Sequence, residues 1–241
     1  LGDVYKRQVN RQYQRMNDTQ KKAWDAVYEP ENQKFIADMK AGKLSKKDVV
    51  RWKYQRYIKD YLKSIASVDE GVGRVLKHLD ESGLAKNTIV IYSSDQGFYL
   101  GEHGWYDKRW MFEESFKMPF VIRWPGVIKA GSTTKALIQN IDYGPTFLGV
   151  CGAEIPRDMQ GRSIVPLLKN AKKKPANWRE ALYYAYYGEQ THQVARHDGI
   201  RTERYTLFHV PKYQEWQLFD NEKDPQQMKS VHNDPDLSLI H

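Results

Sequence analysis

NTIVIYSSDQG, residues 87–97, is the segment that decides the fold class. The run Thr88–Tyr92 is apolar and β-branched, the composition of a central strand buried on both faces. It gives way to Ser93-Ser94-Asp95-Gln96-Gly97, a polar turn closed by glycine. Upstream, residues 45–80 carry apolar side chains at spacings of three and four, among them Tyr54, Ile58, Leu62, Ile65, Val72 and Leu79. That periodicity predicts one long helix with a single apolar stripe, capped by Ser45 with Asp48 and ended by Gly83. A helix feeding a buried strand is half of a βαβ unit, so the chain is placed in the α/β class.

Further out, residues 18–42 predict one or two polar helices, capped at Asp18-Thr19 and stopped at Gly42. PFVIRWPG, residues 119–126, supplies a second strand over about 119–124, and Asn140–Gly152 a further helix with Pro145 in its first turn. The KKKPAN stretch at 172–177 is the natural linker. Beyond it ALYYAYY, QVARHDGIRT, RYTLFHV and EWQLFD follow one another without long helices, the pattern of a small antiparallel β-sheet subdomain. Two units result, 9–171 and 175–236.

Composition narrows the class of protein. The 241 residues include 16 Tyr and 7 Trp with ordinary charge content, enough to build a core and too aromatic for disorder. No apolar run approaches the roughly 20 residues of a membrane span. The one cysteine, Cys151, excludes an internal disulfide framework and a cysteine-based zinc cluster, and its apolar neighbours predict a buried structural thiol. The net charge of +8 suits a polyanionic partner. Its lysines are scattered in short groups, however, as on a solvated face, and the aromatics fall at core spacing. A nucleic-acid-binding module would cluster Lys and Arg with exposed aromatics. LGDVYKRQ at 1–8 and LSLIH at 237–241 resemble translated sequencing-adapter read-through, so residues 9–236 are taken as natural protein and coding sequence is expected to be missing upstream.

The chemistry lies in residues 93–126. An aspartate at the C-terminal end of a buried strand stands where α/β sheets bind ligands. Asp95 offers a carboxylate and Gln96 an amide oxygen, both suited to a hard cation such as Ca²⁺ or Mg²⁺, yet two ligands make an incomplete shell. Taken alone, the motif reads first as an aspartate capping a turn.

As a whole, SSDQGFYLGEHGWYDKRWMFEESFKMPFVIRWPG resembles the sulfatase family of the alkaline-phosphatase-like superfamily. There a strand ends in S-D-x-G, followed by L-G-E-H-G, a W/Y-D-K-R segment and a strand running into R-W-P-G. The resemblance continues through Asn140-Ile141-Asp142 with Pro145-Thr146, through GRSIVPLL and through the closing LFDNEKDP. It implies the C-terminal part of an alkaline-phosphatase-like domain plus an antiparallel subdomain with a helix.

It also implies that Asp95 and Gln96 are a pair of calcium ligands, with Gln96 where the family more often has Asn or His, and with calcium ahead of magnesium. Lys108 matches the lysine that holds sulfate oxygens, where a fixed cation stabilises charge building on the ester. His103 either donates to the sulfate or leaving group or holds its loop by a hydrogen bond, while Glu102 and Asp107 organise the loop. The nucleophile implied is a formylglycine made from C/S-x-P-x-R, and no such motif occurs here. That residue and the first pair of metal ligands are expected upstream of residue 1, and this chain alone is expected not to turn over. Residues 183–209 look like bacterial enzymes that remove 6-O-sulfate from N-acetylglucosamine. On that likeness His197 contacts substrate, with His192 and Arg196 as further candidates; the alternative is a polar turn between strands. The expected partner is a sulfated carbohydrate, the setting periplasmic or secreted. The enzymatic rival is a phosphodiesterase or phosphonate hydrolase of the same superfamily.

Overall fold

The computed structural model describes residues 11–188 and 192–240; the adapter-like residues 1–8 and His241 lie outside them. Two compact units divide at Gly71/Val72, inside the longest helix.

In the first unit, α1 (Asp18–Lys40) is a single helix that runs through Pro30. Its cap is Asn17 and not Asp18-Thr19, because Asn17 and Gln20 exchange side-chain and backbone bonds, Gln20 N–H to Asn17 Oδ1 at 2.9 Å and Asn17 N–H to Gln20 Oε1 at 3.0 Å. Gly42, at φ +67°, turns the chain. The second helix, α2 (Lys46–Glu81), begins at the expected box, with the Ser45 hydroxyl donating to Asp48 at 2.6 Å. The two helices meet through Phe35 stacked on Trp52 at 3.9 Å and Arg56 over the Tyr28 ring at 3.8 Å. On α2 the apolar stripe stays in the open, with Leu62, Ile65, Val68 and Val75 each about half exposed.

In the second unit β1 (Val90–Ser93) pairs antiparallel with β2 (Phe120–Arg123), Ile91 opposite Ile122. The expectation of a strand buried on both faces is not met: β2 is its one neighbour among the described residues, and Tyr92 is exposed. The one-turn helix α3 (Glu113–Phe116) lies between the two strands in sequence. A 3₁₀ turn at Asn140–Asp142 leads into α4 (Tyr143–Val150), and α5 (Val165–Lys169) follows. Cys151 caps the C-terminus of α4 and is exposed, not buried, because the helix ends there and Gly152 turns away at φ +68°.

The C-terminal sheet matches expectation. Strands β3 (Ala181–Tyr186), β4 (His197–Thr202), β5 (Tyr205–Val210) and β6 (Glu215–Asp220) form an antiparallel meander in chain order. Alternation puts Phe208 and Val210 on one face, where they pack with Phe219 and with Met111 from the loop after β1. Trp110, Phe112 and Phe116 close over that core, Phe116 from α3. A second cluster of Ile164, Leu167 and Trp178 lies around α5. Both sides of the expected linker 172–177 fall in one compact unit, joined where the Trp178 indole donates to the Leu137 carbonyl at 2.9 Å.

Candidate active site

The site is built on the loop between β1 and α3. Asp95 and Gln96 directly follow β1, and the next residue, Gly97, is locked: its N–H donates to the Ser115 carbonyl at 2.7 Å. A Cβ on Gly97 would stand 1.9 Å from the Glu114 carbonyl oxygen, so only glycine lets the turn approach α3 this closely. Asp95 is exposed and Gln96 half-buried. From the far side, the Asn140 amide reaches the Asp95 carbonyl at 3.5 Å.

The 3₁₀ turn that carries Asn140 is anchored by Asp142, which is fully buried. Its carboxylate accepts from the Gln139 and Arg162 backbone N–H groups at 2.8 Å each and from both terminal nitrogens of Arg179. A bidentate guanidinium together with two backbone donors is what makes a buried carboxylate tolerable.

Beyond Gly97 the chain folds back on itself as Tyr99 N–H donates to the Asp107 carbonyl at 2.8 Å and Gly101 N–H to the Trp105 carbonyl at 2.9 Å. His103 sits at its tip in the left-handed region (φ +54°). Its ring is 11% exposed, stacks on Phe112 at 4.2 Å, and points Nε2 at Glu114 Oε2, 3.4 Å away. Glu102 accepts from the Leu100 N–H at 2.6 Å, and Asp107 pairs with Arg109, so both acidic residues organise the loop. The Lys108 ammonium is left without a carboxylate partner among the described residues, and its side chain is half-buried. Its backbone is held firmly: the buried Ser115 donates its hydroxyl to the Lys108 carbonyl at 2.7 Å. One serine thus fastens the Asp95-Gln96 turn with its carbonyl and Lys108 with its side chain.

His197 has a different setting from the one expected. It is fully buried, with Nε2 3.1 Å from the Arg109 carbonyl, Nδ1 2.9 Å from the Ala195 carbonyl, and its ring stacked on Trp110 at 4.7 Å. Burial pushes its pKa down, against the pull of the two carbonyls, so the imidazole is neutral at pH 7. His192 and Arg196 are exposed ahead of β4. Sequence reasoning missed Ser115, Tyr184 and Arg201. Tyr184 donates to the Arg109 carbonyl at 2.9 Å, and Arg201 grips Glu113 through two bonds of 2.6 and 3.1 Å. Inward alternation of β3 and β4 could have flagged the last two, but nothing local marks Ser115.

The sulfatase family profile matches residues 3–153, and that of N-sulphoglucosamine sulphohydrolase, C-terminal, matches residues 101–241. The chain belongs to the sulfatase family. It is 46% identical over 221 residues to an N-acetylglucosamine-6-O-sulfatase of Bacteroides thetaiotaomicron, covering 91% of this chain and 39% of that protein. Human N-acetylglucosamine-6-sulfatase is 37% identical over 128 residues, 52% of this chain and 23% of the relative. A solved structure described as a complex with its substrate, D-glucosamine-2-N,6-O-disulfate, aligns with a TM-score of 0.87 at 44% identity, over 95% of this chain and 46% of that one. The chain therefore spans about two fifths of the curated relative it matches over most of its own length. The alignment gives it the alkaline-phosphatase-like sulfatase fold.

The sulfatase family is one of metal-dependent sulfuric ester hydrolases. Asp95 and Gln96 fit that requirement in kind, as adjacent oxygen donors on a fixed turn; no cluster of three or more His, Cys, Asp or Glu side chains that could hold a metal occurs among the described residues. No helix among the described residues is long and apolar enough to cross a membrane.

Proposed function

We propose that this chain supplies the metal turn and the sulfate-binding lysine of an enzyme that hydrolyses a carbohydrate sulfate ester, the 6-O-sulfate of N-acetylglucosamine. The observation that carries the reading is the double attachment of Ser115, which fixes the Asp95-Gln96 turn and Lys108 to one residue. Asp95 and Gln96 would hold the metal, Ca²⁺ in preference to Mg²⁺, which would supply positive charge beside the sulfate oxygens. Lys108 meets the same charge with a compact ammonium on a held backbone, an arrangement that needs no reorganisation as the ester breaks. His103, enclosed by Phe112 and Glu114, serves the loop or a sulfate oxygen. The nucleophile, a formylglycine, comes from sequence outside these 241 residues. By the same likeness the enzyme works in the periplasm or outside the cell.

The test is release of sulfate from 6-O-sulfated N-acetylglucosamine by this chain joined to upstream sequence carrying C/S-x-P-x-R, with and without calcium chelation. Calcium-dependent desulfation is expected. The rival reading draws on a phosphonate monoester hydrolase structure that aligns at a TM-score of 0.62 and 28% identity. Faster cleavage of a phosphonate monoester than of the sulfate would select it.

A further inference from the structure

Three residues of the loop after Lys108 contact three residues of β4 in steps of two. Arg109 meets His197 through its carbonyl, Met111 packs where a Cβ on Gly199 would stand 2.7 Å from its sulfur, and Glu113 takes Arg201. Along β4 the residues between face the other way, as period-two alternation requires, while Trp110 and Phe112 pack on the same core as Met111. The Arg109 carbonyl, one peptide beyond Lys108, is approached by two side chains, the Tyr184 hydroxyl at 2.9 Å and His197 Nε2 at 3.1 Å. Neither is exposed enough to wander: His197 shows no surface and is walled by Trp110, Tyr184 and Tyr186.

We infer that His197, together with Tyr184, is a positioning residue: it holds the Arg109 carbonyl and through it fixes where the Lys108 ammonium stands. A ring with no exposed surface cannot touch a sugar that arrives from solvent, so its effect passes through the Lys108 backbone. The functional weight of this inference rests on the sulfatase reading of Lys108; the geometry it describes does not.

A neutral imidazole carries one N–H, which the inference places on Nε2, toward the Arg109 carbonyl, and side-chain reach separates the two ring nitrogens. The glutamine amide stands where Nε2 does, and the asparagine amide stands where Nδ1 does. His197→Gln therefore keeps the donor toward Arg109, and His197→Asn keeps only the group near Ala195. Tyr184→Phe removes a single oxygen and preserves the fold if His197→Asn does not. Amide hydrogen exchange on this chain reports at Tyr99, Trp105 and Phe112, which are bonded within the Lys108 loop, against β5–β6 amides as the internal reference. Exchange at the three loop amides should quicken about five- to tenfold in His197→Asn and Tyr184→Phe, the scale of one lost hydrogen bond, with β5–β6 unchanged and His197→Gln close to wild type. Unchanged loop exchange would overturn the inference. So would equal acceleration in β5–β6, which marks a general structural role, or a Gln variant no better than Asn, which marks ring packing. Absence of desulfation by the longer enzyme would remove the sulfatase reading and leave the exchange result standing.

Discussion

The hydroxyl of Ser115 lies 2.7 Å from the carbonyl oxygen of Lys108, a bond from a buried donor to the loop that carries the proposed sulfate-binding lysine. Because the Ser115 carbonyl also accepts from Gly97, a shift of α3 moves the Asp95-Gln96 turn and Lys108 together. The two halves of the site keep their spacing by sharing a support.

Ser115→Ala tests that support. It leaves the Lys108 carbonyl short of a donor in a half-buried place, and the expected loss is about 1–2 kcal/mol of unfolding free energy by urea titration. A variant as stable as the wild type would show that water replaces the hydroxyl without cost.

Gly97→Ala should be far worse. The added methyl overlaps the Glu114 carbonyl at 1.9 Å, and backbone cannot swing aside as a flexible side chain can. A loss of about 3 kcal/mol or more in stability is expected, at the upper end of overpacking effects. Gly83→Ala is a useful contrast, since nothing lies within 4 Å there and the strain comes from φ +72° alone.

Arg179→Leu strands the Asp142 carboxylate inside the protein with two backbone donors. Breaking a buried pair from one side typically costs about 3–5 kcal/mol, and thermal unfolding should register it. Pairing it with Asp142→Asn should recover part of the loss, since a neutral amide no longer needs the guanidinium; a double variant no better than Arg179→Leu would contradict this account.

Acid stability should report the Asp220–Arg204 pair. The Arg204 guanidinium donates to both carboxylate oxygens and holds Asp220 down to about 2, below its ordinary 3.8. A depressed carboxylate stabilises the fold above its unfolded value, and that contribution disappears as pH falls through the folded one. Melting temperature should therefore drop between about pH 4 and pH 2, and the Arg204→Gln curve should be flatter over that window. Parallel curves for the two proteins would rule out the pair as the cause.

Lys108→Ala in the longer enzyme should leave melting behaviour intact and lower kcat about 100- to 1,000-fold, the effect of removing one preorganised donor. Lys108→Arg should rescue poorly, because a planar fork does not fit a site made for a compact ammonium. Unchanged kcat would reduce Lys108 to a surface residue.

The C-terminal strands were legible because alternation is local: RYTLFHV announces that Phe208 and Val210 share a face, and they do. The Asp95-Gln96 turn and Lys108 stand in the sequence as a motif in order along the chain, and the structure ties both to Ser115. What the sequence hid was long-range. His197 looked like a polar turn residue or a sugar contact, and its burial depends on Trp110, which lies 87 positions earlier in the sequence. Burial of Thr88–Tyr92 was over-read for a related reason, since a β-branched run states what a strand wants to be covered by and not whether a neighbour is there. Cys151 was misjudged because apolar neighbours in sequence are not neighbours once a helix ends.

The bonds that seat the Lys108 loop span great lengths of chain: 75 residues from Arg109 to Tyr184, 88 to His197, and 114 from Glu113 to Gln227. The meander that receives it is made of strands paired in chain order, with two- and four-residue connections between β4 and β5 and between β5 and β6, so its contacts are local and close quickly. During synthesis the loop leaves the ribosome together with Ser115 but well before Tyr184, His197 and Gln227. It docks onto the sheet once β3 and β4 have emerged and paired. A later stretch of the chain is thus the template on which an earlier stretch acquires its shape, and a nascent protein stalled before β4 would carry Lys108 held by Ser115 alone.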